Sequence, residues 1–288
     1  MENYLIYCDT AADLDEEVIR QADIRFIPME YSLGDEMRVC MRPESPEILK
    51  QFYNGQRGGD LTRTSQISPE KYVYQLSPVL REGRDVLYLA LSSGLSSTYQ
   101  SAALAAAELK EKFPEHSFVP VDTLSATGGM DVICERAIRN RAAGMSIEEN
   151  AADLRDLCGR VAAWFFVDDL QYLKRGGRVS AATAAVGTIL QMKPILRITP
   201  DGKLETIGKE RGGKAALKEL LRRFTANDRP GTGDVIYVVD ADNREQAEQL
   251  AEAIRAIRPD AEIRHATVSP IIGAHTGPGL VGVCHVVK

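Results

Sequence analysis

The chain has 288 residues and a mass of 31.6 kDa, a length that predicts about two domains. Its composition is 44% hydrophobic and 26% charged, which excludes a disordered chain, a collagen and a coiled coil. The formal net charge is −6 and the pI is near 5.4, so nothing in the charge balance points to nucleic acid as a partner.

The start of the chain and its cysteines predict a cytoplasmic protein. The first residues carry no basic leader and reach Asp9 after a short apolar run, so we expect no secretory signal. No stretch approaches the ~20 apolar residues of a transmembrane helix. The five cysteines are scattered without a C-x-x-C pair, which predicts reduced thiols, and the four histidines show no metal-ligand spacing. We therefore expect neither a metal nor a cofactor.

Strands and helices alternate in the first half of the chain. Apolar runs bounded by polar turns predict the strands, and capping residues predict the helix starts. The strands are Tyr4–Cys8, Ile24–Pro28, Val86–Leu91 and Phe118–Val121, and the helices begin near Asp13, Ser68, Ser97, Ala126 and Ser146. Such alternation produces βαβ crossovers, so residues 1–158 are predicted to form a three-layer α/β domain with a parallel sheet.

The second half has a different pattern. Pro200-Asp201-Gly202 joins two strands as an antiparallel hairpin, because proline fixes φ and glycine permits a positive φ. Residues 159–288 are therefore predicted to form a two-layer α/β domain with a mixed sheet. The boundary near Gly159 is not rich in proline or glycine, so we expect the halves to pack closely. The predicted strands are Val161–Val167, Pro194–Thr199, Lys203–Gly208, Val235–Asp240, Ala261–Thr267 and Leu280–Val286.

Polar side chains follow three of the predicted parallel strands. These are Asp9-Thr10, Ser92-Ser93-Gly94 and Asp122-Thr123. Ligands of doubly wound sheets bind at the carboxyl ends of strands, and the helix that follows Gly94 would favour an anion. The alternative is that these residues only cap helices and satisfy turns.

Four other segments contain residues that could take part in binding. The hydroxyl cluster Thr62–Gln66, read alone, is an ordinary polar loop. His275–Gly279 contains a stiff turn that we expect to hold His275 in place, as a buried histidine or as a functional one. Lys174–Arg178 is a basic glycine-rich loop, either solvated or a docking surface for an acidic or phosphate-bearing partner. The small residues of Ala181–Val186 either permit close packing or leave a cavity.

Together these segments resemble the DegV family from Asp9 to Gly282. One segment alone is weak, but their order and spacing are specific. The matching segments are Asp9–Leu14, Thr64–Gln66, Ser92–Ala102, Tyr172–Arg178, Lys193–Leu196 and His275–Gly279.

The resemblance implies a non-catalytic lipid-binding protein in which a long-chain fatty acid, such as palmitate, stearate or oleate, lies in a cleft between two α/β domains. The small residues of Ala181–Met192 would then face the acyl tail. By the same resemblance, the residues that bind the carboxylate end are Thr64, Ser65, Ser93, Gly94, His275 and Thr276.

The resemblance also implies a protein partner. The best-understood DegV proteins are binding subunits of bacterial fatty acid kinases, which present the carboxylate to a separate ATP-using subunit that makes acyl phosphate. Arg178 is at the family position implicated in that docking, and Arg211 is a second such position. We expect peripheral contact with a membrane during lipid exchange and no contact with nucleic acid.

Two other functions stay open at this point. An acyl hydrolase or transferase would use Ser93, Asp122 and His275, since the chain order Ser…Asp…His occurs in such enzymes. Against it, the G-x-S-x-G elbow is absent. The third alternative is a lipid sensor without downstream chemistry.

Overall fold

The computed structural model describes residues 4–180, 191–231 and 233–287. The strands are β1 (Tyr4–Asp9), β2 (Ile24–Ile27), β3 (Glu30–Leu33), β4 (Glu36–Val39), β5 (Thr62–Ser65), β6 (Asp85–Ala90), β7 (Phe118–Asp122), β8 (Val161–Phe166), β9 (Met192–Ile198), β10 (Leu204–Arg211), β11 (Ile236–Asp240), β12 (Ile263–Thr267) and β13 (Val281–Val286). The helices are α1 (Glu16–Ala22), α2 (Pro46–Gly58), α3 (Pro69–Arg81), α4 (Thr98–Lys112), α5 (Gly128–Ala142), α6 (Ile147–Cys158), α7 (Gln171–Arg175), α8 (Gly213–Asn227), α9 (Arg244–Ile257) and α10 (Pro270–Thr276).

The first half contains the predicted parallel sheet, in the order β2-β1-β6-β7. The central strands β1 and β6 are mostly apolar and buried, as strands covered on both faces must be, whereas the edge strands β2 and β7 are partly accessible. Helices α3 and α4 pack on this sheet as one pair, and α5 and α6 pack on it as another. The carboxyl ends of β1, β6 and β7 therefore lie side by side at one edge of the sheet.

The second half contains a six-stranded mixed sheet, in the order β10-β9-β8-β13-β11-β12. Only β11 and β12 pair in parallel. Successive side chains of β8 face opposite sides, so Trp164 and Phe166 pack beneath α8 and α9, whereas Ala163 and Phe165 face the first half. The mixed sheet confirms the predicted fold class, and the predicted hairpin around Gly202 is β9–β10.

Helix α5 joins the two sheets. It packs against β1 on one side and against β8, β11 and β13 on the other. Gly128 makes this contact possible, because a Cβ there would lie 2.5 Å from Val239 Cγ1 and 3.0 Å from Tyr237 Cβ. One hydrophobic core consequently contains residues of both sheets, and the boundary near Gly159 stays a prediction.

Several elements differ from the sequence predictions. The sequence analysis did not predict the antiparallel sheet β4-β3-β5 or helix α2, and the expected loop at Thr62–Gln66 contains strand β5. All four residues of β5 are polar or charged and β4 is largely exposed, so neither strand shows the apolar pattern that predicts a strand. Helix α1 is capped by Asp15, which accepts from Glu17 N at 2.8 Å, whereas Asp13 is buried. The starts predicted at Ser68 and Ser146 are confirmed.

The small-residue segment expected to face an acyl tail lies mostly outside the described residues. Of Ala181–Met192, the structure describes only Gln191 and Met192. The expectation for that segment therefore stays a prediction.

The contact of α5 with the mixed sheet gives a stability prediction. Replacing Gly128 by Ala forces a methyl group into occupied space and should lower the free energy of unfolding by roughly 1–3 kcal/mol. Gly58→Ala is the matched control, since nothing lies within 4 Å of a Cβ at Gly58. Urea unfolding followed by circular dichroism measures both variants. Equal stability of the two would contradict the packing argument.

Candidate functional site

An apolar cavity lies between the inner face of the mixed sheet and the carboxyl ends of the parallel strands. Both halves of the chain form its walls, with Leu91 and Ala126 on one side and Phe165, Val239 and Leu280 on the other. The cavity has a volume of about 70 Å³. A mostly apolar lining with a few convergent polar groups is typical of sites for small apolar ligands.

One end of this cavity is polar. Thr64 Oγ1 and His275 Nε2 lie 2.8 Å apart, within hydrogen-bond distance, and both residues line the cavity. The cavity continues here into an open space of about 390 Å³. We call this opening the polar mouth, and its polar residues are Thr64, Gln66, Ser93, Ser96, Ser97 and Arg178.

The first half of the chain fixes the start of α10, the helix that carries His275. The backbone N–H of Ser269 donates to Asp13 Oδ1 at 3.0 Å, and the Ser269 hydroxyl donates to the Thr10 carbonyl at 3.0 Å. Asp13 itself is buried and paired with Arg42 at 3.4 Å. The start of α10 is therefore hydrogen-bonded to a buried ion pair in the first half of the chain.

Strand β5 and helix α2 fix the end of α10. The Thr62 hydroxyl donates to the Ala274 carbonyl at 2.9 Å, and Gln56 Nε2 donates to the Gly273 carbonyl at 2.9 Å. Thr62 thus pairs a carbonyl near the helix end, and Gln56 adds a second bond to the Gly273 carbonyl, which already accepts from Gly277 N at 2.9 Å. These bonds also set His275 opposite Thr64, because Thr62 and Thr64 lie on the same face of β5.

A glycine of the Lys174–Arg178 loop fixes the other side of the His275 ring. A Cβ at Gly176 would lie 2.2 Å from His275 Nδ1, so no larger residue fits there without moving the imidazole. Among the described residues, Nδ1 has no hydrogen-bond partner. In the fold, this glycine-rich loop therefore packs against the His275 ring and fixes its position.

His275 is neutral at physiological pH. Burial, and secondly the nearby Arg178 guanidinium, together lower its pKa to about 4. A neutral imidazole carries a single N–H. With the proton on Nε2, the ring donates to Thr64 Oγ1, and the threonine hydroxyl is left to donate to a ligand oxygen in the cavity.

Arg178 supplies the positive charge of the polar mouth. Its Nε donates to the Leu95 carbonyl at 3.1 Å, and Nη1 donates to the Gly176 carbonyl. The side chain is about half buried, and burial lowers the pKa of its guanidinium. Since arginine stays protonated in proteins, this charge is held beside the neutral His275.

Two serines in the loop after β6 have different surroundings: Ser92 contacts the β9–β10 hairpin, and Ser93 lines the polar mouth. Ser92 is buried, and its hydroxyl donates to the Gly202 carbonyl at 2.7 Å, which docks the β9–β10 hairpin. Gly94 belongs to the same contact, because a Cβ there would lie 2.6 Å from the Gly202 oxygen. Ser93 lines the polar mouth, and its backbone N–H donates to Asp122 Oδ1 at 3.1 Å.

The other strand-end residues bind backbone groups of the protein itself. Asp9 accepts from the backbone N–H groups of Ala11 and Leu91 at 3.0 and 2.7 Å, and Thr10 Oγ1 accepts from Met29 N at 3.0 Å. The Thr123 hydroxyl donates to the Ala90 carbonyl at 2.7 Å. Of the two interpretations left open by the sequence, the structural one fits these three residues, because their side chains bind backbone groups of their own turn or of neighbouring segments.

The remaining candidates lie at different distances from the cavity. Ser65 is exposed on the face of β5 opposite to Thr64, and Arg211 is exposed at the end of β10. Thr276 lines the cavity, but its hydroxyl is within 3.3 Å of the Ile272 carbonyl. The sequence analysis missed Gln66, Ser96 and Ser97 as mouth residues, although all three belong to the segments that carry the family resemblance.

The residues proposed for a hydrolase are not arranged as a catalytic triad. Asp122 Oδ1 accepts from the backbone N–H groups of Ser93 and Leu124, each at 3.1 Å, and His275 Nε2 is paired with Thr64. Triad chemistry needs the carboxylate on one imidazole nitrogen and the nucleophile on the other. The hydrogen bonds of His275 and Asp122 are made elsewhere in this structure.

The described part of the chain shows neither a metal-binding cluster nor a membrane-spanning helix. Residues 4–180, 191–231 and 233–287 include no group of three or more histidine, cysteine, aspartate or glutamate residues placed to hold a metal ion. Within the same ranges, no helix has the length and apolar character that a membrane span requires.

Comparisons with known proteins agree on one family. A family model described as "Uncharacterised protein, DegV family" matches residues 4–288. A DegV domain-containing protein of Clostridium perfringens is 33% identical over 283 residues, which cover 98% of this chain and 97% of the relative.

Solved structures show the same fold. A fatty-acid-binding DegV family protein of Thermus thermophilus is 29% identical, with a TM-score of 0.86 and coverage of 99% of this chain and 100% of the other. The fatty acid kinase B3 protein of Streptococcus pneumoniae, loaded with linoleic acid, is 20% identical with a TM-score of 0.86 over 99% of this chain and 100% of its own, and shares the fold. The chain belongs to the DegV family.

Proposed function

We propose that this protein binds a long-chain fatty acid in the cavity, with the carboxylate at the polar mouth, and presents it to a separate kinase subunit. The observation that carries the proposal is the continuity of an apolar cavity with the Thr64–His275 pair at one end. A fatty acid has the matching division into a long apolar chain and one small polar group.

The carboxylate would meet three kinds of donor at the mouth. The Thr64 hydroxyl is backed by the neutral His275, Arg178 adds a positive charge, and the first turn of α4 begins beside Ser96 and Ser97. The start of a helix favours negative charge because its backbone N–H groups and dipole point outward.

The acyl chain would supply most of the affinity. Burial contributes about 0.8 kcal/mol per CH₂, so a long chain gains on the order of 10 kcal/mol before the cost of association is subtracted. The polar mouth then mainly fixes the orientation of the ligand. Because chain burial supplies most of the affinity, a few hydroxyl groups are enough to bind the carboxylate.

The cavity must widen to accept such a ligand. Its volume of about 70 Å³ is smaller than the roughly 150 Å³ of an apolar cavity that holds benzene. Leu95, Ile198, Leu204 and Ile272 line the cavity and are only partly buried. These side chains lie at the edge of the core, so they are the ones that we expect to move aside.

Related proteins support both steps of the proposal. The Thermus thermophilus protein is a fatty-acid-binding member of the family, which supports the ligand class. The kinase step is supported by the fold shared with the fatty acid kinase B3 protein and by the charged Arg178 at the opening through which a second protein would reach the carboxylate.

The ligand can be identified directly. Protein purified from a bacterial host, extracted with organic solvent and analysed by mass spectrometry, should release a fatty acid of 16 to 18 carbons, about one per chain, since burial strengthens with chain length. Delipidated protein should rebind palmitate or oleate in a calorimetric titration. Absence of lipid in the extract together with no rebinding would refute the proposed function.

The position of the carboxylate is tested at β5. Thr64→Val keeps the shape of the side chain but removes the hydroxyl, so the affinity for oleate should fall about tenfold, the effect of losing a hydrogen bond to a charged group. Ser65→Ala is the control, because Ser65 is exposed on the other face of the strand and its loss should change nothing. Equal affinities for the two variants would remove Thr64 from the site.

The kinase step is tested with the cognate ATP-using subunit. Arg178→Ala should lower the rate of acyl phosphate formation at least tenfold at saturating fatty acid, because a charge at the opening is lost. Arg211→Ala tests the second docking position, and Arg255→Ala, an exposed arginine on α9, is the control. The fatty acid affinity of each variant is measured in parallel. A rate loss fully explained by weaker fatty acid binding would argue against docking through Arg178.

A further inference from the structure

Large apolar side chains are exposed along the edge of the small antiparallel sheet. Met37 and Val39 of β4 are 61% and 50% exposed, and Met41, just beyond the strand, is 59% exposed. Nine large apolar side chains are exposed in the described part of the chain, and three of them fall within these five consecutive residues. Scattered apolar residues need no explanation, but such a group on one strand marks an interaction surface.

One face of this sheet is covered and the other is not. Helix α2 covers the first face, where Arg38 Nη1 donates to Gln51 Oε1 at 3.0 Å and buried aromatic rings of β3 and α2 pack together. Successive side chains of a strand point to opposite faces of the sheet. Met37 and Val39, on either side of Arg38, therefore lie on the uncovered face.

The backbone of β4 leaves hydrogen-bonding groups free at its outer edge. Glu36 directly follows the two-residue turn of the β3–β4 hairpin, and the Cys40 N–H donates to the Met29 carbonyl at 2.8 Å. Hydrogen-bonded and non-hydrogen-bonded residues alternate along an antiparallel pair, so Met37 and Val39 point their N–H and C=O groups away from β3. Because β4 is the last strand of this sheet in the described residues, these groups are open to another strand.

The sequence of β4 is complementary to itself when two copies run antiparallel. A two-fold axis at Met37 places Glu36 opposite Arg38 of the second copy, and Arg38 opposite Glu36 of the second copy. Opposite charges in facing positions stabilise a strand pair, whereas like charges destabilise it. An axis at Arg38 would bring two arginines face to face, so charge complementarity selects the axis at Met37.

We propose that two copies of this chain form a dimer through β4, paired antiparallel about a two-fold axis at Met37. The two Met37 residues then exchange backbone hydrogen bonds, as facing residues of an antiparallel pair do. Two three-stranded sheets become one sheet of six strands, with the same surface used on both copies. The flexible methionine side chains pack against each other across the axis, which removes them from water.

The charges at this edge favour a second copy over a lipid surface. Glu36 and Glu44 lie beside the exposed apolar side chains, and Glu44 Oε1 accepts from the Met41 N–H at 2.8 Å. Anionic membranes attract basic segments, and this edge is not basic. The contact is also separate from the ligand site, because β5, which carries Thr64, lies at the other edge of the sheet. The inference therefore stands independently of the proposed function.

Sedimentation velocity of the full chain tests the association. The weight-average mass should rise from 31.6 kDa toward twice that value as the protein concentration increases. The measurement should extend to roughly 1 mM, the weak end of the affinity scale, because the paired segment is short. A mass that stays at 31.6 kDa over this range would overturn the inference.

A charge swap at Met37 locates the contact. Met37→Lys and Met37→Glu should each weaken self-association at least about tenfold, because like charges then face each other across the axis. An equimolar mixture of the two variants should associate at least as tightly as the unmodified chain, since opposite charges then face each other. Ile257→Lys is the matched control, because Ile257 is an exposed apolar residue at the end of α9 in the other half, and its replacement should leave the association unchanged.

Three results besides a constant mass would overturn the inference. The first is a dimer that both variants at Met37 leave intact, and the second is loss of the dimer without recovery in the mixture. The third is a monomer that binds phosphatidylcholine vesicles through Met37, which would assign the surface to lipid. Circular dichroism of each variant checks that it is folded, which we expect because the Met37 side chain is exposed.

Discussion

The site of this protein depends on the attachment of helix α10 to the first half of the chain. The helix has only seven residues, and a helix of that length is marginal without tertiary support. Asp13, which is paired with Arg42, accepts a hydrogen bond from the backbone at the start of this helix. Gln56 and Thr62 donate to carbonyl groups near its end. Removing one partner of a buried ion pair typically costs 3–5 kcal/mol. Loss of Arg42 would therefore disturb the seat of His275 as well as the stability of the fold.

The polar and apolar parts of the site are produced by different parts of the fold. The cavity walls follow from the inner face of the mixed sheet, where alternate residues of β8 point toward α5. The polar mouth is formed by short segments, β5, the loop before α4 and the loop at Gly176, that meet at one edge. The first part can exchange one apolar residue for another, whereas the second depends on a small number of exact neighbours such as Gly176 and His275.

Sequence patterns predict the parallel sheet of the first half and the hairpin of the second, but not helix α2 or the sheet β4-β3-β5. Continuous apolar runs such as Val86–Leu91 and capping residues such as Ser146 carry strong local signals, and the structure confirms them. Strand β5 carries no such signal, because its four residues are polar or charged and it is defined by its pairing with β3. Thr64 was selected through the family resemblance, and only the strand alternation separates it from Ser65.

Tertiary contacts decided the details that local patterns could not. The β9–β10 hairpin decides which of the two serines, Ser92 or Ser93, is buried. Its contact residue, Gly202, lies 110 positions from Ser92 along the chain. Asp13 resembles a helix cap in the sequence, yet it binds Ser269 from the opposite end of the chain.

The Thr64–His275 contact also has a consequence for the order of folding. The two residues are 211 positions apart, and β13, which follows His275, lies inside the mixed sheet between β8 and β11. Contacts of such long range form late, because the chain must close a large loop first. During synthesis on the ribosome, the pocket cannot exist until almost the whole chain has emerged. Occupancy by a ligand would therefore report completion of the entire fold, and the bound molecule would stabilise both halves at once by mass action.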